Sequence, residues 1–119
     1  MDVARVRKTF ENDPGLKDEI FTRPEIDYCE SKANKFQHYA ARFAAKEAFM
    51  KALGTGWQLG IQFAHVEVIN DHLGKPLITL KEKVKDYADE KGITKILVSL
   101  AHINDFATAM VVLETKTKE

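Results

Sequence analysis

The sequence is short of several things, and each shortage excludes something. There is one cysteine, Cys29, in 119 residues, so an internal disulfide and a cysteine-based zinc site are both excluded. Cys29 reads as a small half-buried residue on a helix. There is no surplus of either charge: 18 Lys+Arg face 18 Asp+Glu. No global field therefore draws in nucleic acid or an anionic membrane, and neither is expected as a partner. No apolar run approaches a membrane span and the N-terminus is polar rather than signal-like, which makes the cytoplasm the default location. Repeats and low-complexity stretches are lacking too. Trp57, the one tryptophan, reads as a packing residue.

What is present suits a soluble α+β domain, with 45% hydrophobic and 30% charged residues. Residues 1–114 are expected to form a single domain, followed by a charged tail over 115–119. A chain this small buries a modest fraction of its surface, so oligomerisation is a natural source of further stability.

Val3, Val6 and Phe10 are spaced as one face of a short helix, closed by Asn12-Asp13-Pro14-Gly15. Thr22-Arg23-Pro24-Glu25 reads as a helix start: Thr22 is the N-cap, Pro24 lies in the first turn, and Glu25 completes a capping box. That helix is expected to reach about Ser31. Over 34–53 the helical signal is strongest, and alanines occupy several faces, which suits a central helix. Gly54 and Gly56 end it. Two strands at 66–69 and 77–80 flank a hairpin connection. Val84, Tyr87 and Ala88 mark a further helix stopped by Gly92. Strands at 96–101 and 106–113 complete an expected antiparallel sheet.

Glu47 is the residue that most needs explaining. Tyr39, Phe43, Glu47 and Met50 fall on one helix stripe, and a carboxylate in an apolar stripe is costly to bury unless paired or bound to a cation. Two readings stand: a helix salt bridge to Lys51, four residues on, or a ligand for a hard cation beside phosphate-binding cations. Arg42 and Lys46 crowd the adjoining face. Asp2 reads equally as an N-cap or as a second oxygen ligand. His102, at a strand end, faces either a site or solvent. Gly74-Lys75-Pro76 is first of all a turn.

Over 42–56 the chain reads Arg-Phe-Ala-Ala-Lys-Glu-Ala-Phe-Met-Lys-Ala-Leu-Gly-Thr-Gly. This closely resembles the signature helix of bacterial holo-[acyl-carrier-protein] synthases, the short type of 4'-phosphopantetheinyl transferase. The Asn-Asp-x-x-Gly-Lys-Pro within 67–76 resembles the hairpin that follows in that family. Val98-Ser99-Leu100-Ala101-His102 is similar to its penultimate strand, Asp2-Val3-Ala4-Arg5-Val6 to its N-terminal Asp motif, and Phe21-Thr22-Arg23-Pro24-Glu25 to its second-helix entry. The likeness covers essentially the whole chain in the right order.

The resemblance implies the α+β 4'-phosphopantetheinyl transferase fold and transfer of the phosphopantetheine arm of coenzyme A to a serine of apo-acyl carrier protein, releasing 3',5'-ADP. It implies Mg²⁺ held by Asp2 and Glu47, with Glu47 and Lys51 catalytic and Lys51 assisting the leaving group. Arg42, Lys46, Lys51, Gly54, Gly56, Pro76 and His102 match coenzyme A-binding positions. It also implies a homotrimer with sites across subunit boundaries, and docking of the acidic carrier on Arg5, Arg7 and Lys8.

Three departures from the family pattern stand out. Met1 precedes Asp2 directly where the family has an apolar strand, Arg5 replaces a common Glu, and Ala101 replaces a common Ser or Thr. With Asp2 on a frayed end, the expectation is that the chain binds coenzyme A but transfers poorly. Another Mg²⁺-dependent enzyme acting on a nucleotide or diphosphate would use the same residues. A non-catalytic oligomeric binding module would need only the Glu47–Lys51 pair.

Overall fold

The structure, a computed structural model, describes residues 1–54 and 61–116. Helix α1 (Val3–Asn12) buries Val3, Val6 and Phe10, the three positions its spacing predicts. After the Asp13-Pro14-Gly15 turn comes a short helix, α2 (Leu16–Ile20), which sequence reading passed over. Five residues carry too little periodicity to register, although Asp18 and Glu19 in the first turn suit a helix N-terminus.

Helix α3 (Arg23–Glu30) starts as expected, with Thr22 as N-cap, a proline in the first turn and a complete capping box. The Thr22 amide donates to Glu25 Oε1 at 2.8 Å.

Helix α4 (Lys35–Leu53) is the centre of the fold, touching α1, α3, β1 and both long strands. Its alanines allow close approach on several sides, and Ala40, Ala41 and Ala45 are all buried. The helix ends on Gly54, whose φ of 84° gives the left-handed cap that glycine adopts without penalty.

Strands β1 (Val66–Asn70) and β2 (Pro76–Leu80) form one antiparallel hairpin, preceded by a 3₁₀ turn at Phe63–His65. Helix α5 (Glu82–Glu90) leads to β3 (Ile93–His102) and β4 (Ala107–Thr115), the second hairpin. The strands thus make two separate two-stranded antiparallel sheets where one was expected, with β2 and β3 neighbours in contact. The two hairpins and the helix-then-strand order were legible in the sequence, from the turn residues between apolar strand segments and the helix spacing before them.

Two apolar clusters form along α4, one on its N-terminal half and one on its C-terminal half. One joins α1 and α3 through Phe10, Phe21 and Tyr39, whose rings meet at 5.1–5.9 Å. The other gathers Phe49, Met50 and Leu53 against β1 and α5. Cys29 is fully buried rather than half-buried, and burial pushes its thiol up to about 12, which makes it unreactive.

The first residues are tied down. The Met1 ammonium donates to the Ala107 carbonyl at 2.8 Å, the Ala107 amide returns a bond to Met1, and Asp2 bridges to Phe106. The expectation that Asp2 lies on a frayed end is therefore overturned: β4 holds this segment in an extended pairing.

Candidate active site

Glu47 lies two-thirds of the way along α4, half-buried, on the wall of a cleft of about 970 Å³. The cleft opens between α1, α2 and residues 61–64, and its walls are chiefly apolar: Val6, Phe10, Ile20, Phe43 and Phe63. Phe43 stacks on Phe63 at 5.2 Å with the rings 24° from parallel. Among the described residues Glu47 has no ion pair and no hydrogen bond, so the salt bridge to Lys51, one of the two readings of this residue, is not formed. Lys51 is exposed and likewise without a partner among them. A carboxylate left free in an apolar cleft is a group available to a ligand.

Lys46 has a different setting from the one expected. It is completely buried, and its ammonium meets Glu25 at 2.9 Å and the carbonyls of Phe63 and Val66 at 3.1 and 2.6 Å. Those partners use all three of its donors, leaving none for a coenzyme A phosphate. Glu25 is equally buried and also accepts from the Val68 amide at 2.8 Å. Burial lowers the Lys46 ammonium pKa, and the Glu25 carboxylate opposes that shift.

Arg42, Pro76 and His102 are far apart in sequence and line one smaller pocket, with Tyr28, His38 and Asn70. Arg42 is 2% exposed, stacks over Tyr28 at 4.2 Å, and donates to Asn70 Oδ1 at 2.5 Å. Asn70 is itself oriented by its own bond to the Gly74 carbonyl at 2.9 Å, which links the Gly-Lys-Pro turn to the arginine. The Arg42 Nε is buried without a hydrogen-bond acceptor. A buried guanidinium with an open donor is suited to an anion.

His38 sits four residues before Arg42, so the same helix face carries both. Its ring meets His102 at 4.9 Å and Tyr28 at 5.6 Å. Burial, with the charges of His102, Arg42 and Lys32, lowers His38 to about 4, so it is neutral at ordinary pH. Sequence reading missed His38, Asn70 and Tyr28. The spacing of His38 to Arg42 was a usable signal, whereas Asn70 is brought in by the β1–β2 turn.

A family model described as the 4'-phosphopantetheinyl transferase superfamily matches residues 1–111. A holo-[acyl-carrier-protein] synthase of Geotalea daltonii is 45% identical, over 96% of this chain and 92% of that protein. The chain belongs to this superfamily. It is an enzyme of the holo-[acyl-carrier-protein] synthase type.

Solved synthases have the same fold as this transferase. The enzyme of Neisseria meningitidis superimposes with a TM-score of 0.88 at 28% identity, covering 97% of this chain and 93% of that one. The enzyme of Helicobacter pylori, solved in complex with coenzyme A, gives 0.79 at 29% identity, covering 96% and 95%.

The remaining expected site residues of the transferase lie as follows. Asp2 is exposed and caps α1, accepting the Arg5 amide at 3.3 Å, and it lines a groove with Arg7, Asn34 and Gln37 rather than the Glu47 cleft. Arg5, Arg7 and Lys8 are exposed on α1, with Arg5 at the rim of the Glu47 cleft and Arg7 over the Phe36 ring at 5.0 Å. Gly54 is exposed at the end of α4. Gly56 lies outside the described residues. No helix among the described residues is long and apolar enough to cross a membrane.

No group of three or more metal-ligating side chains exists among the described residues. Mg²⁺ binds through one or two carboxylates and completes its shell with substrate phosphates and water. Glu47 fits as such a donor, being free and facing the cleft. Asp2 uses one carboxylate oxygen to cap α1 and lines a different groove from Glu47.

Proposed function

We propose that this transferase takes coenzyme A as donor and a serine of apo-acyl carrier protein as acceptor, requires Mg²⁺, and releases 3',5'-ADP. The observation that carries the reading is the free Glu47 carboxylate in a cleft of about 970 Å³, on the same helix as the buried Arg42 guanidinium with its open donor. Arg42, Pro76 and His102 serve the nucleotide end of coenzyme A. Lys51, exposed one turn beyond Glu47, stands ready for the pyrophosphate.

In the reaction, the serine oxygen of the carrier attacks the β-phosphorus. A new phosphoester bond forms as the pyrophosphate P–O bond breaks, and 3',5'-ADP departs with that electron pair. Glu47, or a water beside it, takes the serine proton, and Lys51 stabilises the leaving phosphate. When bound to Glu47 and Asp2, Mg²⁺ supplies polarisation of the β-phosphate and neutralises charge on the leaving group. The stacked rings of Phe43 and Phe63 give the cleft an apolar wall beside Glu47.

Arg5, Arg7 and Lys8 provide the docking face for the acidic carrier of fatty acid synthesis. Lys8 is opposite the buried stripe of α1, and the two arginines flank it. The assembly proposed is a homotrimer. Its support is the outer face of the β3–β4 hairpin, where Leu97, Met110 and Val112 stand 36%, 68% and 45% exposed and need covering. We place the chain in the cytoplasm, as one transferase domain over residues 1–114. The anchoring of Met1 and Asp2 next to β4 speaks against one ground for expecting poor transfer, the frayed end, and leaves the changes at Arg5 and Ala101 as the other two.

Release of 3',5'-ADP tests this reading. It is expected only when coenzyme A, apo-carrier and Mg²⁺ are all present. Release without carrier points instead to a hydrolase acting on a diphosphate, and no release under any combination points to a binding module.

A further inference from the structure

Phe63 is the wall of the Glu47 cleft that faces Phe43, and the Phe63 carbonyl accepts from Lys46 Nζ at 3.1 Å. The same ammonium takes the Val66 carbonyl at 2.6 Å and meets Glu25 at 2.9 Å. Glu25 in turn accepts the amides of Thr22 and Val68, both at 2.8 Å. One buried ion pair therefore joins the start of α3, the middle of α4, the 3₁₀ turn and the first residues of β1. Thr22 adds a second tie through its hydroxyl, which donates to Glu67, and Glu67 pairs with Lys81 at 3.3 Å. Both charges of the central pair are fully buried, and every donor and acceptor of the two groups is engaged.

A buried pair contributes little net stability compared with an apolar replacement, so its presence here calls for a role in specifying geometry. We infer that Lys46 and Glu25 are positioning residues that fix the Phe63 wall against Phe43 and Glu47, and that Lys46 is not a ligand for the substrate's phosphates. The inference rests on the transferase reading of the Glu47 cleft. It assigns separate duties to adjacent residues: Glu47 meets the reacting groups, and Lys46 holds the wall opposite them.

The test uses the full chain and three variants: Glu25→Gln, Lys46→Met and the double variant. Lys46→Met alone strands a buried carboxylate and is the one most prone to unfold, whereas the double variant leaves neither charge unpaired. Circular dichroism first establishes that the variants compared are folded at the assay temperature. Calorimetric binding of 3',5'-ADP and steady-state transfer to apo-carrier are then measured.

The expected result is that Kd for 3',5'-ADP stays within about twofold of the unaltered chain while kcat falls about tenfold or more. The double variant is expected to lose no more than Glu25→Gln alone, because the two residues act as one unit. A Kd weakened about tenfold in the double variant and unchanged in Glu25→Gln would make Lys46 a phosphate ligand and overturn the inference. An unchanged kcat in the folded double variant overturns it as well. Absence of transfer by the unaltered chain overturns the transferase reading, and this proposal with it.

Discussion

Lys46 and Glu47 are neighbours on α4 and face opposite worlds: the ammonium is fully buried against Glu25 at 2.9 Å, and the carboxylate is half-buried in an open cleft. The 100° turn between successive helix positions suffices to separate them. One residue is enclosed by the fold, and the next is left with no partner among the described residues.

That difference makes Glu47→Gln informative. The change keeps shape and removes the charge, and no ion pair or hydrogen bond among the described residues is lost with it. Stability is expected to change by no more than about 0.5 kcal/mol, as for a substitution that breaks no contact. Transfer is expected to fall about 100-fold or more. Urea melts and kcat measured on the same preparation check the two halves together.

Arg42 and Asn70 are expected to act on coenzyme A affinity. Arg42→Lys keeps the charge but loses the planar fork and the stacking over Tyr28, which lies at 4.2 Å. Kd for coenzyme A is expected to rise about tenfold or more. Asn70→Ala is expected to give a smaller rise, since it removes the acceptor that aims the guanidinium rather than the guanidinium itself. Calorimetry with coenzyme A measures both.

His38 predicts a slope of stability against pH. Its proton is held less readily in the folded chain (about 4) than in the unfolded chain (about 6.5). Between those values the unfolded state binds more protons, so stability is complete above about 6.5 and declines as pH falls toward 4. Burial is the main cause, and His102, Arg42 and Lys32 add to it, while the Tyr28 ring packs against its edge. Urea midpoints across pH 4.5–7 are expected to fall with pH in the unaltered chain and to fall less in His38→Phe, with the range set by those values.

The basic face of α1 is expected to govern encounter with the carrier. Reversing Lys8 to Glu touches an exposed side chain opposite the buried stripe. KM for the carrier is expected to rise several-fold with kcat little changed, and the difference from the unaltered chain is expected to shrink as salt rises.

The amphipathic spacing of α1, the capping box of α3, the alanines of α4 and the glycine at its end were all legible in the sequence, because each is a local device. What was not legible is what distant segments do to a side chain. Nothing in the order Lys46–Glu47 says which one meets Glu25, since that depends on how α3 and β1 close over α4. Asp2 shows the same limit: its hold on β4 comes through Ala107 and Phe106, more than a hundred residues away. Separation of the two hairpins into distinct sheets is likewise a matter of how distant segments meet, which the strands' own patterns do not state.

Mass spectrometry of a purified apo-carrier, incubated with this chain, coenzyme A and Mg²⁺, tests the central claim most directly. The account predicts that the carrier gains the mass of one phosphopantetheine arm on a serine, and that Glu47→Gln slows the gain. A carrier of unchanged mass, with chain shown to be folded, would contradict it.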